Sequence, residues 1–231
     1  MATFVLVHGA WHGSWCWKRV RRALQTQGHE VFTPTLTGLG ERSHLLSQQI
    51  DLETHILDVV NLIIWEELTD VVLCGHSYGG AVISGVADRL PDRIRALVYL
   101  DAFVLEDGEN VAQHVPGLNS GPDWQMPPLP AESFNVNSSD VEWVNRQCTM
   151  HPLATFQQRI RLTGESKRIR NVTYILANGY GDDGLVSKFF KKATENGWNT
   201  IKMPYGHDVM LDGPEELTAV LLDVDRSAAT L

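Results

Sequence analysis

The sequence predicts an α/β chain, a mostly parallel sheet of about six strands with helices packed on both faces. Three observations carry that expectation. Short apolar runs alternate with segments of helical spacing along most of the chain. The third run, "TDVVLCG", is apolar without alternation, as a strand covered on both faces must be. The pattern breaks only once, between about Phe103 and Asn171. With 231 residues, 43% of them hydrophobic, the chain is long enough for one domain with a substantial core, and no repeat divides it.

Taken in order, "TFVLVHG" reads as the first strand, and Trp17, Val20 and Leu24 mark a helix from about Trp15 to Gln27. "HEVFTPTL" reads as the second strand; after the turn-rich "TGLGERSH", Leu52, Ile56, Val59, Ile63 and Ile64 mark the second helix. The third strand runs into "YGGAVISGVADRL", a helix, and "IRALVYLDA" is a fourth, buried strand. The next segment, from about Phe103 to Asn171, holds most of the prolines and weak helical signals in "DVEWVNRQC" and "LATFQQRIRL", and is expected to be a cap-sized insertion. Periodicity returns with the strand "NVTYILANG", a helix from about Leu185 to Asn196, the strand "NTIKMP" and a closing helix from about Pro214 to Leu222.

A formal charge of −9 argues against binding a phosphate backbone, so nucleic acid is not an expected partner. The N-terminal "MATFVLVHGAWHG" has a short apolar run with no basic stretch before it, unlike a signal peptide or a membrane span, and a cytoplasmic location is expected. Cys16, Cys74 and Cys148 are odd in number and lack metal-ligand spacing; Cys74, within an apolar run, reads as a core residue. No feature specifies an oligomeric state.

Gly75-His76-Ser77-Tyr78-Gly79 matches G-x-S-x-G where the motif acts, after a buried strand and before a helix. The glycines permit a crowded turn that presents the Ser77 hydroxyl above the sheet edge and aims the Tyr78 N–H at a developing oxyanion. Serine needs a base. Of nine histidines, His207 in "MPYGHDVMLDGPEEL" lies between the last strand and the last helix, on the same edge as Ser77. His8 and His12 also lie there but suit shaping the turn after the first strand, and His76 suits supporting the bend around Ser77.

The order serine, acid, histidine is that of the α/β-hydrolases. "FVLVHGAWHGSWCW", "GHSYGG" and "GHDVML" resemble the plant methyl esterase and hydroxynitrile lyase family and related bacterial carboxylesterases, some of which hydrolyse pyrethroids. The resemblance implies an α/β-hydrolase fold and a Ser-His-Asp esterase needing neither metal nor organic cofactor, with the N–H of Ala10 as the second oxyanion donor. The lyase members carry lysine where this chain has Asp208 and threonine where it has Gly9, which favours ester hydrolysis; Ser77 sets aside the aspartate-nucleophile dehalogenases.

Two positions qualify for the acid. Asp101 closes the fourth strand, where some lipases and dehalogenases of this fold keep theirs. Asp182, with its neighbour Asp183, follows the fifth strand in "ANGYGDDG", near the more usual place, although Asn178 and Gly179 stand where the plant-like pattern has its aspartate. The end of a buried strand fixes a side chain more tightly than a loop with three glycines, so Asp101 is preferred and Asp182 is the alternative. In the insertion, Trp124, Met126, Phe134, Trp143, Met150 and Phe156 could wall an apolar pocket, with Trp11 and Trp15 beside the oxyanion turn. A small, fairly hydrophobic ester is the expected substrate. A triad shows competence rather than purpose, so a small-ligand receptor and a cofactor-free C–C hydrolase or lyase are the rival readings.

Overall fold

In the computed structural model, residues 1–118, 123–179, 181 and 184–228 are described. The elements run β1 (Thr3–Val7), α1 (Lys18–Thr26), β2 (Glu30–Phe32), α2 (Leu52–Trp65), β3 (Val71–His76), α3 (Gly79–Arg89), β4 (Ile94–Leu100), β5 (Gln125–Met126), α4 (Val141–Gln147), β6 (His151–Pro152), α5 (Ala154–Gln157), β7 (Val172–Ala177), α6 (Ser187–Glu195), β8 (Asn199–Met203), α7 (Val209–Asp212) and α8 (Pro214–Ala228). Six strands form one sheet in the order β2-β1-β3-β4-β7-β8, every neighbouring pair parallel. β5 and β6 pair as a separate antiparallel ribbon within the excursion between β4 and β7.

Strand alternation divides the core. Val5, Val7, Leu73, Leu97 and Tyr174 pack against α2, α3 and α6 on one face. Phe4, Leu6, Val72, Cys74, Val98 and Ile175 pack against α1 and α8 on the other. The central strands are buried along their length, which is why "VVLC" shows no polar alternation. α2 starts at a capping box: Asp51 accepts from the Thr54 N–H at 2.9 Å, and the Thr54 hydroxyl lies 3.4 Å from the Asp51 N–H. The cysteines are free.

Several boundaries differ from the sequence expectation. "HEVFTPTL" contributes only three residues to the sheet, because Pro34 has no N–H to donate and the following residues are held elsewhere: the Ser14 N–H donates to Thr35 Oγ1 at 2.8 Å and the Leu36 N–H to His8 Nε2 at 3.1 Å. The first helix opens with a tighter turn over Ser14–Trp17. "LATFQQRIRL" forms a single helical turn, since Ile160 exchanges backbone hydrogen bonds with Gly108 and Glu109 at 2.9 and 2.8 Å. The closing helix continues to Ala228. Among the described residues no helix is long and apolar enough to cross a membrane.

Candidate active site

Ser77 sits on the bend between β3 and α3 with φ +53°, a left-handed conformation that a non-glycine residue keeps only when its surroundings enforce it. They do: its N–H donates to the Leu100 carbonyl at 3.1 Å, and its own carbonyl accepts from the N–H groups of Gly80 (3.0 Å) and Phe103 (3.1 Å). The flanking glycines are required by contact. A Cβ on Gly75 would lie 2.5 Å from the Gly79 carbonyl oxygen, and one on Gly79 would lie 2.7 Å from that of His8.

Asp101 follows the last residue of β4, again at positive φ (+45°) and fully buried. Its N–H donates to the Ile175 carbonyl at 2.7 Å, its Oδ1 accepts from the Ala177 N–H at 3.0 Å, and its Oδ2 lies 2.6 Å from His207 Nδ1. The structure therefore brings Asp101 to His207. Asp182 and Asp183 lie outside the described residues. His207 stands between β8 and α7; its N–H donates to the Phe134 carbonyl at 2.9 Å and its ring stacks on that of Phe134, centroids 5.5 Å apart. His76 Nε2–H donates to the His207 carbonyl at 3.0 Å, so this histidine braces the histidine loop.

Opposite Ser77, the turn after β1 presents Ala10. Its N–H belongs to a peptide whose carbonyl, Gly9 O, accepts from His8 Nδ1–H at 2.8 Å; His8 Nε2 accepts from Leu36. Burial is the main reason that His8 is held neutral, its pKa lowered to about 3. The next peptide is held at both ends, the Ala10 carbonyl by His12 Nδ1–H at 2.7 Å and the Trp11 N–H by His151 Nδ1 at 3.2 Å. A hydrogen bond at a peptide carbonyl strengthens the same peptide's N–H as a donor. A side chain at Gly9 would crowd the site, since its Cβ would come within 3.0 Å of Ser77 Cβ and 2.9 Å of His76 Nδ1.

Ser77, His207 and Ala10 open into one cavity of about 810 Å³, walled by Trp11, Phe103, Met126, Phe134 and Phe156 with Val115 and Leu185. Three of the tryptophans expected there are elsewhere. Trp15 lies beneath the turn after β1, stacked on His12 with centroids 5.0 Å apart, and Trp143 packs edge-on against Trp15. Trp124 stands at the surface, 36% exposed. The reason is positional: the turn over Ser14–Trp17 carries Trp15 to the α1 and α8 side of the sheet. Met150 is likewise not in the wall.

Sequence reasoning missed His55 and His151. His55 Nδ1 accepts from the Tyr78 hydroxyl and its Nε2–H donates to the Thr37 carbonyl, both at 2.9 Å. Its place beside Leu52, Ile56 and Val59 on the apolar face of α2 was the available signal, because a histidine buried there must find partners. His151 comes from the antiparallel ribbon and had no local signal. Among the described residues no three His, Cys, Asp or Glu side chains are grouped to hold a metal ion.

Residues 4–220 match the model of the alpha/beta hydrolase family. The chain is 46% identical over 240 residues to a carbendazim hydrolyzing esterase of Nocardioides sp. (strain SG-4G), covering 96% of this chain and 98% of that protein. It is 33% identical over 233 residues to methylesterase 8 of Arabidopsis thaliana, covering 93% and 82%. An extracellular alpha/beta-hydrolase from a Paenibacillus species superposes with a TM-score of 0.82 at 22% identity, covering 97% and 99%.

Proposed function

The chain belongs to the alpha/beta hydrolase family and is an ester hydrolase, and we propose that it works as a serine carboxylesterase on small, uncharged, largely apolar esters through an acyl-enzyme. The carrying observation is the convergence of Ser77, on its enforced bend, and His207, oriented through Nδ1 by Asp101 at 2.6 Å, on one apolar cavity.

In this mechanism His207 Nε2 takes the Ser77 proton as the hydroxyl attacks the ester carbonyl, and Asp101 stabilises the imidazolium. The oxyanion is received by the N–H groups of Ala10 and Tyr78, and neither N–H donates to another group among the described residues. His207 returns its proton to the departing alcohol, then activates the water that releases the acid.

The cavity sets the substrate class. Apart from His207, Glu132 is the one titratable side chain among the described residues of its wall, so an anionic ester meets no countercharge there while a neutral aryl or alkyl ester meets aromatic rings. The Nocardioides relative, similar over nearly its whole length, hydrolyses carbendazim, which extends the proposal to aryl carbamates. Hydrolysis of p-nitrophenyl acetate and butyrate by the wild type and Ser77→Ala tests the reading. Multiple turnovers that vanish in a folded Ser77→Ala variant are expected. Turnover that survives the substitution overturns it, and reversible retention of the intact ester, undiminished in Ser77→Ala and with no turnover by the wild type, would indicate a receptor.

A further inference from the structure

Directly behind the oxyanion turn lies a second carboxylate–histidine pair that the mechanism above does not use. Asp208 follows His207 but turns inward; it is fully buried, and its Oδ2 lies 3.0 Å from Nε2 of His12, itself 2% exposed. His12 Nδ1 lies 2.7 Å from the Ala10 carbonyl, which can only accept, so Nδ1 carries a proton. If Nε2 carries one too, His12 is a cation between two acceptors. The other arrangement, a neutral imidazole accepting from a protonated Asp208, would use the same 3.0 Å contact, and in either one Asp208 Oδ1, 3.7 Å from His76 Nε2, has no hydrogen-bond partner among the described residues, so the charge state is decided by the electrostatics of the surroundings.

We propose that His12 and Asp208 form a buried imidazolium–carboxylate pair that fixes the peptide after Ala10, making His12 a positioning residue for the oxyanion donor. The inference rests on the serine-esterase reading for its catalytic consequence, but the pair itself is a separate claim. A buried ion pair adds little net stability, because both ions lose water; its use here is geometric. A charge-assisted hydrogen bond to the Ala10 carbonyl is shorter and stiffer than a neutral one, and the Ala10 N–H moves with that residue.

The electrostatics agree. Burial works against a charged His12, but the Asp208 charge, its hydrogen bond and the Ala10 carbonyl outweigh it and raise the pKa. Burial likewise opposes a charged Asp208, and the attraction and hydrogen bond of His12 hold it below the ordinary carboxylate range. The other groups facing the pair carry no charge that could replace either partner. His8, at the end of β1, and His151 and His76 are kept neutral first by burial, and burial and then the Asp208 charge push up the thiols of Cys16 and Cys148. Trp15 stacks on the open face of the imidazole.

The test combines imidazole ¹⁵N NMR with kinetics on p-nitrophenyl acetate, from about pH 6 to pH 10. In the wild type, resonances identified as those of His12 by their loss in His12→Gln should show both nitrogens still protonated above pH 6.5, the ordinary histidine value, and kcat should fall on the alkaline side as that proton leaves. Asp208→Asn should make His12 neutral, lower kcat about tenfold with KM changed less than about twofold, and flatten the alkaline limb. Should that variant fail to fold, His12→Gln with Asp208→Asn supplies a neutral pair of similar shape, with the same loss and the same flat limb expected. A neutral His12 in an active wild type overturns the pair while leaving the esterase reading intact. A wild-type alkaline limb or an undiminished kcat in the Asp208→Asn or double variant overturns the positioning role. A wild type that turns over no ester, with His12 doubly protonated, overturns the esterase reading and the catalytic consequence, and the pair alone stands.

Discussion

Asp101–His207 and Asp208–His12 are the same chemical pair placed twice at one sheet edge, and their surroundings give them opposite uses. In both a buried carboxylate faces an imidazole, at 2.6 and 3.0 Å. His207 commits Nδ1 to Asp101 while its ring borders the cavity, leaving Nε2 to exchange a proton with what binds there. His12 commits both nitrogens, to Ala10 and to Asp208, inside the fold. On the roles proposed above, what separates a base from a brace is whether one ring nitrogen is left to face the cavity.

The largest expected effect breaks the first pair. Asp101→Asn should lower kcat for p-nitrophenyl acetate by about 10³–10⁴-fold, with the folded state kept, because the amide orients the imidazole in the wrong tautomer. Loss of less than about tenfold would show that another carboxylate orients His207.

Next in size is acid sensitivity, which sets the neutral histidines of the site apart from the charged one. His8, His55, His76 and His151 all have pKa values lowered first by burial, to about 3 for His8 and about 4 for His55. A histidine depressed in the fold takes up a proton on unfolding, so each costs stability as pH falls below its ordinary value of 6.5 towards its folded one. Each contributes about 1.4 kcal/mol per pH unit, so four cost about 5 kcal/mol between pH 6 and pH 5, a large share of an ordinary domain's stability. Urea midpoints should therefore collapse over that unit, and His151→Gln should reduce the slope by one proton. His12 has the opposite sign: its raised pKa gives stability that is complete below 6.5 and lost as pH rises through the folded value. Asp208, depressed, stabilises above its ordinary value of 3.8 and loses that only in stronger acid. The pair is silent in the window where the neutral histidines titrate, and a urea midpoint unchanged between pH 6 and pH 5 would contradict their burial as neutral groups.

Removing one partner of the buried pair comes third. His12→Ala leaves the Asp208 carboxylate without its cation and should destabilise the fold by about 3–5 kcal/mol in urea unfolding at neutral pH. Replacing both partners with neutral groups should cost less, as no buried charge is then stranded.

The contrast between the two pairs also explains what the sequence could convey. The sheet was legible, because apolar runs such as "TFVLV", "VVLC" and "VTYILA" alternate with segments of helical spacing, and the Ser77 bend was legible because only glycine fits at 75 and 79. Asp101 was legible as one candidate of two, from its place at a strand end. The inward turn of Asp208 was not. A carboxylate after His207 reads as polar loop until His12, 196 residues away, is known to lie against it. The pocket walls were only partly legible for a related reason: Trp11, Met126, Phe134 and Phe156 line the cavity, whereas Trp15, Trp124, Trp143 and Met150 do not. The cap's ring positions were visible, but whether Trp124 or Phe134 faces the cavity depends on the ribbon formed by Gln125–Met126 and His151–Pro152, two residues a side, which no periodicity announces.

The smallest predicted effect tests that cap. Phe134 supplies the carbonyl that receives the His207 N–H, stacks on its ring and lines the cavity, whereas Trp124, also in the cap, stands at the surface. Truncating Phe134 to alanine keeps the backbone bond and removes the stacked ring. KM for p-nitrophenyl butyrate should rise about three- to tenfold as an apolar wall is lost, with a smaller fall in kcat from a loosened His207. Trp124→Ala should change KM by less than about twofold, since no surface next to the ester is removed. Equal effects in the two variants would mean that the cap presents a different face to the substrate. An effect at Phe134 alone ties the His207 ring, on which Phe134 stacks, to the residues between β4 and β7; His12, which meets the same ring edge-on with centroids 6.3 Å apart, keeps both of its ring hydrogen bonds in that variant.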